Sequence, residues 1–425
     1  MNSPSVFFLG TAVLLSGCYL SHDTAESGGA PDAAAPDVRG FDVPLIDATP
    51  LDVFASDTPP PFDAGPFECE GIRIGAEHAL INDWNAIFPR IVALPRGEIG
   101  VFTHSAPGNI GRANYQRLNA SLERIGESIV LIDPIGDLAV PAVIGDTVYV
   151  SYGERGAEQG SGSLLAPFAS DGTVVGPGAP VVEDQLAFLS PASTALFWLW
   201  FEFSPTETIR AAHINTDGEV LHDVVEIPSG NLIRGTRAVP VDGGNAHVLA
   251  YSRNVRGGGF PQFSNGFVNM IRTDGTLGPE RQLGEDLVIS VTPVVIRNEL
   301  ILVRHQADAL VIERANIDTL ERIEEFRFDP ISEQPLVAQL GGRLLVIHFE
   351  QETQQMHVDD FGRDFSGPRR LTIELEGPVY QDGFVVESPA TPTSSAGVVV
   401  TNQVQREPRG YPWLVRLVCD NAIDG

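Results

Sequence analysis

An all-β, seven-bladed β-propeller, with four antiparallel strands per blade and the ring closed by pairing the N- and C-terminal strands in one blade, is the architecture this chain predicts. Three observations carry it. First, a strand-like run with apolar residues at alternate positions repeatedly meets a tight turn and leaves it as a second run, most clearly from Gly266 to Leu283. Related turns stand at Asp171-Gly172 and Asp217-Gly218, with degenerate versions near Asn119-Ala120, Asp318-Thr319 and Asp360-Phe361. Second, the turns joining the first two strands of each module fall at Gly97, Gly145, Ser193, Gly244, Arg297, Gly342 and Ser395. Their spacings of 48, 48, 51, 53, 45 and 53 residues suit one four-strand blade plus loops. Third, Trp413 to Asn421 reads as a third strand reaching its turn with no fourth after it, and Glu68 to Gly75 reads as the missing fourth. Joining these ends removes the open edges that an unclosed sheet would expose.

Taken in order, the chain opens with Val6 to Leu15, an apolar stretch too short to span a bilayer, followed by the small residues Ser16 and Gly17 and then Cys18. Leu15-Ser16-Gly17-Cys18 resembles the lipobox of bacterial lipoproteins. That resemblance implies a signal peptide over residues 1–17, lipidation of Cys18 and, because Tyr19 rather than Asp follows the cysteine, an outer-membrane address facing periplasm or cell surface. Acyl chains supply about 0.8 kcal/mol per buried methylene, so a multiply acylated cysteine anchors stably without a helix.

Residues 18–67 read as a disordered, Asp/Pro-rich tether. Asp recurs every five residues at Asp32, Asp37, Asp42, Asp47, Asp52 and Asp57, interleaved with Pro31, Pro36, Pro44, Pro50 and Pro59 to Pro61. A period of five matches neither helix nor strand, and Pro removes backbone donors at intervals. Like charges on a polyproline-leaning chain give an extended spacer.

The propeller domain is expected over residues 68–425. Its second strands share a type, as in Ile99 to His104, Thr147 to Tyr152, Ala246 to Tyr251 and Leu344 to Phe349. Near-continuous β-branched and aromatic runs suit strands covered on both faces. Gly follows Asp171, Asp217 and Asp274 because a tight hairpin needs positive φ there. Phe197 to Phe203, rich in Trp and Phe, reads as core strand. With Cys18 committed to lipid, Cys69 and Cys419 remain beside the same turn on neighbouring strands. In an oxidising compartment they are expected to form a disulfide.

Composition narrows function. A formal charge of −29 argues against nucleic acid and anionic lipid surfaces, and all 27 basic residues are Arg. No nucleotide, serine-hydrolase or zinc-protease motif occurs, and the histidines show no metal-ligand spacing, so no cofactor, metal or catalytic residue is assigned. His104, His247 and His348 fall at similar places on second strands, and Glu202 and Asp308 stand near strand ends. Two loops stand out by length: Arg253 to Gly266, where Arg253, Arg256, Phe260 and Phe263 combine Arg with aromatics as interface hot spots do, and Gly153 to Gly162. The expected function is a monomeric, membrane-anchored binding or scaffold module for a protein or glycan partner. Two alternatives stand beside it. One is a propeller hydrolase or lyase with its site at the channel mouth. The other resembles the propeller lipoprotein of the outer-membrane assembly machinery, whose recurring quinoprotein-like Trp motifs are absent here.

Overall fold

The computed structural model of the chain divides into two units, Met1–Phe62 and Asp63–Gly425. It describes residues 69–420 with the exception of 80–85, 106–110, 136–138, 154–162, 183–185, 192–194, 203–207, 229–232, 255–263, 332–333, 351, 363, 366, 376–383, 389–396 and 407–408. The expected signal peptide, Cys18 and the tether lie outside them, as do the turn positions Ser193 and Ser395.

The β-branched and aromatic runs form strands, and these pair into seven four-stranded antiparallel sheets. Blade 1 is β2–β5 (Ala86–Ala93, Ile99–Ser105, Gly111–Leu118, Arg124–Ile135) and blade 2 is β6–β9 (Val140–Ile144, Thr147–Gly153, Ser163–Ala169, Ala179–Val182). Blade 3 is β10–β13 (Leu186–Pro191, Leu196–Glu202, Thr208–Ile214, Val225–Pro228) and blade 4 is β14–β17 (Ile233–Val241, Ala246–Asn254, Ser264–Arg272, Arg281–Leu287). Blade 5 is β18–β21 (Ser290–Ile296, Glu299–His305, Leu310–Asn316, Arg322–Phe328) and blade 6 is β22–β25 (Leu336–Leu340, Arg343–Glu350, Gln355–Phe361, Pro368–Glu374). Blade 7 combines β26–β28 (Phe384–Ser388, Gly397–Arg406, Arg409–Cys419) with β1 (Ile72–Ala79). No helix among the described residues is long and apolar enough to cross a membrane.

The first strands of successive blades touch in cyclic order, β2, β6, β10, β14, β18, β22, β26 and back to β2. The sheets therefore radiate about one axis with the first strand innermost, which a sandwich would not do. Antiparallel order puts the first and third hairpin turns of each blade on one face of the ring, the turn face. The second connections and the links between blades leave from the opposite, loop face.

Burial explains why the second strands lack polar alternation. In β15, Val248 and Ala250 pack toward blade 5 while Leu249 and Tyr251 pack toward blade 3; in β23, Leu344 and Val346 meet blade 5 while Leu345 and Ile347 meet blade 7. Seven apolar clusters result among the described residues, one at each junction between neighbouring blades. A fully buried Leu, Ile or Val contributes roughly 1.5–3 kcal/mol, so these junctions, not the polar links on their rims, dominate cohesion. Trp198 lies fully inside the junction of blades 2 and 3.

Turn chemistry follows the Asp-Gly signal. The Asp171 carboxylate accepts from the Thr173 N–H at 2.9 Å and that of Asp274 from the Thr276 N–H at 2.8 Å, so these acids cap their own turns. The glycines supply positive φ, and each also seats its turn on the preceding blade: a Cβ at Gly172 would strike Ile129 of blade 1, and one at Gly275 would strike His222 of blade 3. The degenerate turn expected near Asp360-Phe361 begins after them, because both residues belong to β24.

Closure joins β28 to β1 in antiparallel register from Ile72↔Cys419 to Ala79↔Trp413, and the Trp413 indole donates to Glu77 at 2.9 Å. The closing strand starts at Ile72, later than its sequence signal, because residues 69–71 bridge to neighbouring turns: the Cys69 N–H donates to Gly341 O and the Asp420 N–H to Gly71 O. Cys69 and Cys419 form a disulfide with Cα atoms 5.3 Å apart and a sequence separation of 350. Blade 6 covers this seam. Arg369 pairs with Asp420 at 3.0 Å, and a Cβ at Gly341 (φ +55°) would lie 2.6 Å from the Cys69 Cβ.

Two substitutions follow from that seam. Cys69→Ser with Cys419→Ser should lower unfolding free energy by up to about 5–6 kcal/mol, the loop-entropy value for so long a loop, read as a lower denaturant midpoint at unchanged secondary structure. Gly341→Val should cost about 2–4 kcal/mol through left-handed backbone strain and crowding of the disulfide, in the same titration.

An interblade cleft on the turn face

A cavity of about 860 Å³ opens between blades 4 and 5 on the turn face. One wall is the first turn of blade 4, Pro240 to Ala246, continued by Met270 and Arg272 at the end of β16; the other is Val295, Asn298, Ile317 and Asp318 of blade 5. At the next junction, between blades 5 and 6, the corresponding space is about 150 Å³. The difference has a residue-level cause. Arg297 heads the first turn of blade 5 and lies over Gly342 of blade 6, where an added Cβ would come within 2.5 Å of its guanidinium. The turn of blade 4 instead carries Gly243 and Gly244, so no side chain reaches across and the cleft stays open. Asp242, Gly243 and Gly244 all have positive φ, and an added Cβ at Gly243 would meet nothing within 4 Å.

The floor is aliphatic, with Val241 and Met270 buried and Val295 and Ile317 half-buried, while Asp242, Asn245, Asn298 and Asp318 are exposed on the two walls. Backbone carries much of one wall and strand ends position the rest, so the cleft can take up a chain segment by main-chain hydrogen bonding and aliphatic contact.

The strongly perturbed titratable groups lie elsewhere, packed within and between blades. At the junction of blades 3 and 4, His222 Nδ1 donates to the Asp223 carbonyl at 2.7 Å. A carbonyl can only accept, so neutral His222 must accept at Nε2, which takes both the backbone N–H of His213 at 3.1 Å and His213 Nδ1–H at 3.0 Å. His213 Nε2 then accepts from His247 Nδ1 at 3.2 Å, and His247 stacks on Phe197. His213 spends its two nitrogens in opposite directions, so the three rings form a relay and do not converge on an ion. Burial, with help from His222 and against the pull of Asp274, lowers His213 to about 4.

Buried carboxylates are likewise paired. Glu313 meets Arg281 across the junction of blades 4 and 5 and Arg304 within blade 5, and Arg304 also donates across the junction to Leu283 O at 2.8 Å. Burial works against ionising Asp359, but the two hydrogen bonds from Arg370 and the nearby His348 prevail and hold it at about 2. For Asp360, burial outweighs Arg343 and the carboxyl is pushed up. Among the described residues no group of three or more His, Cys, Asp or Glu side chains could hold a metal ion.

The residues singled out in the sequence fall as follows. Arg253 ends up ion-paired with Glu280 at 2.9 Å, its guanidinium 4.0 Å from the Phe267 ring centre, and the Tyr251 hydroxyl donates to the same Glu280. Arg256, Phe260, Phe263 and the loop after Gly153 lie outside the described residues. Asp308 pairs with Arg327 at 2.8 Å, and the Glu202 side chain is not among those described. His104 and His348 stand at the loop-face ends of β3 and β23, whereas His247 stands at the turn-face end of β15, so the three do not share a position. The cleft itself went unnoticed in the sequence; its one signal was the Gly-Gly pair at Gly243 and Gly244.

No family model matches the chain, and no curated protein matches it in sequence. Among solved structures, the WD40 domain of Toxoplasma gondii coronin is similar with a TM-score of 0.53 and 9% identity, covering 84% of this chain and 91% of that one. A chain of a mitotic checkpoint complex is similar at a TM-score of 0.48 and 13% identity over 86% and 98% of the two chains. A prolyl endopeptidase structure gives 0.47 and 13% over 79% of this chain and 50% of that one. The coronin likeness is one of fold: a seven-bladed propeller.

The relay makes acid a destabiliser. His213 is held below its unfolded value of 6.5, so its contribution is full above that pH and is lost as pH falls from 6.5 toward 4. The loss at pH 5 should be about 2 kcal/mol, a drop of a few degrees in Tm that His213→Gln flattens relative to the unmodified protein in scanning calorimetry between pH 7 and 5.

Proposed function

We propose that the protein is an exported, lipid-anchored binding or scaffold module, and that the cleft between blades 4 and 5 receives a segment of a protein partner. The observation that carries this reading is the cleft: about 860 Å³ of space on a rigid scaffold, opened by the absence of a side chain at Gly243. Its volume falls within the range of roughly 300–1,000 Å³ usual for ligand sites. A protein segment suits it better than a glycan, because the floor is aliphatic and among the described residues no aromatic ring lines it for a sugar to stack on.

The anchor is Cys18, and residues 18–67 form the spacer that lifts the ring from the outer membrane. The loop from Arg253 to Gly266 is a second contact region: Arg253, fixed by Glu280 and Phe267, anchors its base, and Arg256, Phe260 and Phe263 meet a partner.

Two measurements test this. With p-benzoylphenylalanine at Asn298, ultraviolet light should give an adduct with one partner that Gly243→Arg abolishes. The same probe at Val174, exposed on the outer rim, should give none. An adduct indifferent to Gly243→Arg would overturn the cleft as the site. Metabolic labelling with tritiated palmitate should mark the protein through Cys18 and be lost, together with membrane fractionation, in Cys18→Ala; a labelled or still membrane-bound variant would contradict the anchor.

A further inference from the structure

We infer that the segment received by the cleft is basic, presenting a Lys or Arg side chain flanked by aliphatic residues. The inference rests on reading the cleft as the partner site, and adds to it the chemistry of the occupant. Asp242 stands on the blade 4 wall and Asp318 on the blade 5 wall, both exposed. Among the described residues neither carboxylate joins an ion pair, although this chain commonly spends its arginines on its acids, as with Glu98 and Arg117, Glu280 and Arg253, Glu299 and Arg314, and Asp359 and Arg370. Among the described residues the single cation of the lining, Arg272, lies within electrostatic reach of Asp274 in the turn that follows it. The described walls therefore present two carboxylates, neither held in an ion pair, facing one gap that also holds the one guanidinium of Arg272.

An anionic segment would meet like charge on both sides and leave both carboxylates unpaired. A cationic side chain between them satisfies both, and the field of a chain with net charge −29 favours its approach. Below the charges the aliphatic floor accepts the flanking residues, and Met270 adapts to their shape. The amides of Asn245 and Asn298, one on each wall, supply donors and acceptors for the segment's main chain.

The test uses the full-length protein in detergent and three fluorescent ten-residue peptides, alternating Arg-Leu, Glu-Leu and Ser-Leu, followed by anisotropy at low and physiological salt. The Arg-Leu peptide should bind more tightly than the other two. Asp242→Asn with Asp318→Asn should weaken it about tenfold, the effect of two charge contacts of roughly 0.7 kcal/mol each. Glu127→Gln with Asp146→Asn, which removes the same net charge at exposed sites away from the cleft, should leave binding within about twofold. Gly243→Arg should abolish it. Arg96 already adopts a backbone conformation close to that of Gly243, with φ 69° and ψ 17° against 61° and 23°, so the plug is compatible with the turn. The double Asn variant changes neither backbone nor volume and reports independently of the plug.

If Ser-Leu or Glu-Leu binds as well as Arg-Leu and is still blocked by Gly243→Arg, the cleft stands as the site and the basic occupant is wrong. Equal weakening by both neutralised pairs, or no binding of Arg-Leu where the Asn298 adduct forms, refutes the basic occupant as well. Arg-Leu binding untouched by a folded Gly243→Arg protein overturns both readings.

Discussion

Everything in this molecule depends on β28 finding β1. The two strands sit at opposite ends of the described chain, yet β1 pairs from Ile72 to Ala79 with Cys419 to Trp413 of β28, with one bulge between Ile74 and Ala76, and completes blade 7. Until they do, the ring has a blade of three strands and an edge whose backbone groups have no partner. Each apolar cluster sits between two blades, so opening one seam exposes the faces on either side of it. Closing a loop of that length costs conformational entropy that local contacts cannot offset. The Cys69–Cys419 disulfide removes part of that cost from the folding equilibrium by keeping the ends together in the unfolded chain.

The turn face shows how the same constraint shapes the functional surface. The turns stack one on the next around parts of the ring: Arg297 on Gly342, Gly341 on the disulfide, Gly275 on His222, Gly172 on Ile129. Such stacking requires one member of each contact to be small and the other large. Where the turn of blade 4 carries Gly243 and Gly244, no side chain spans to blade 5, the stack is interrupted and a cleft remains. Buried charge does the opposite at the same junction. Arg281, Arg304 and Glu313 join blades 4 and 5 below the surface, so the cleft opens onto a firmly held seam.

Much of this fold was legible in the sequence, for physical reasons that differ by element. The second strands announced themselves because being covered on both faces leaves a near-continuous apolar run, as in Leu344 to Phe349, broken only by His348. The Asp-Gly turns announced themselves because positive φ next to a carboxylate cap admits few other residues. Ring closure could be read from a strand without a partner at each end of the domain, although the closing strand begins at Ile72, displaced by the residues that cross to Gly341 and Asp420. The histidine relay was hidden. His213 and His222 meet across a hairpin, and His247 arrives from the next blade, so no linear spacing marks them. The cleft was hidden more deeply, since it consists of a side chain missing at one junction and shows only when that junction is set beside the one closed by Arg297.

The most direct measurement of the closed ring is hydrogen–deuterium exchange of the intact, disulfide-bonded protein, resolved by peptide. Closure predicts that amides of Ile72–Ala79 are protected to the same degree as those of the second strands β3 and β23, and open only with global unfolding. Exchange of that segment within seconds while the other blades stay protected would show that the two ends of the chain do not hold the ring together.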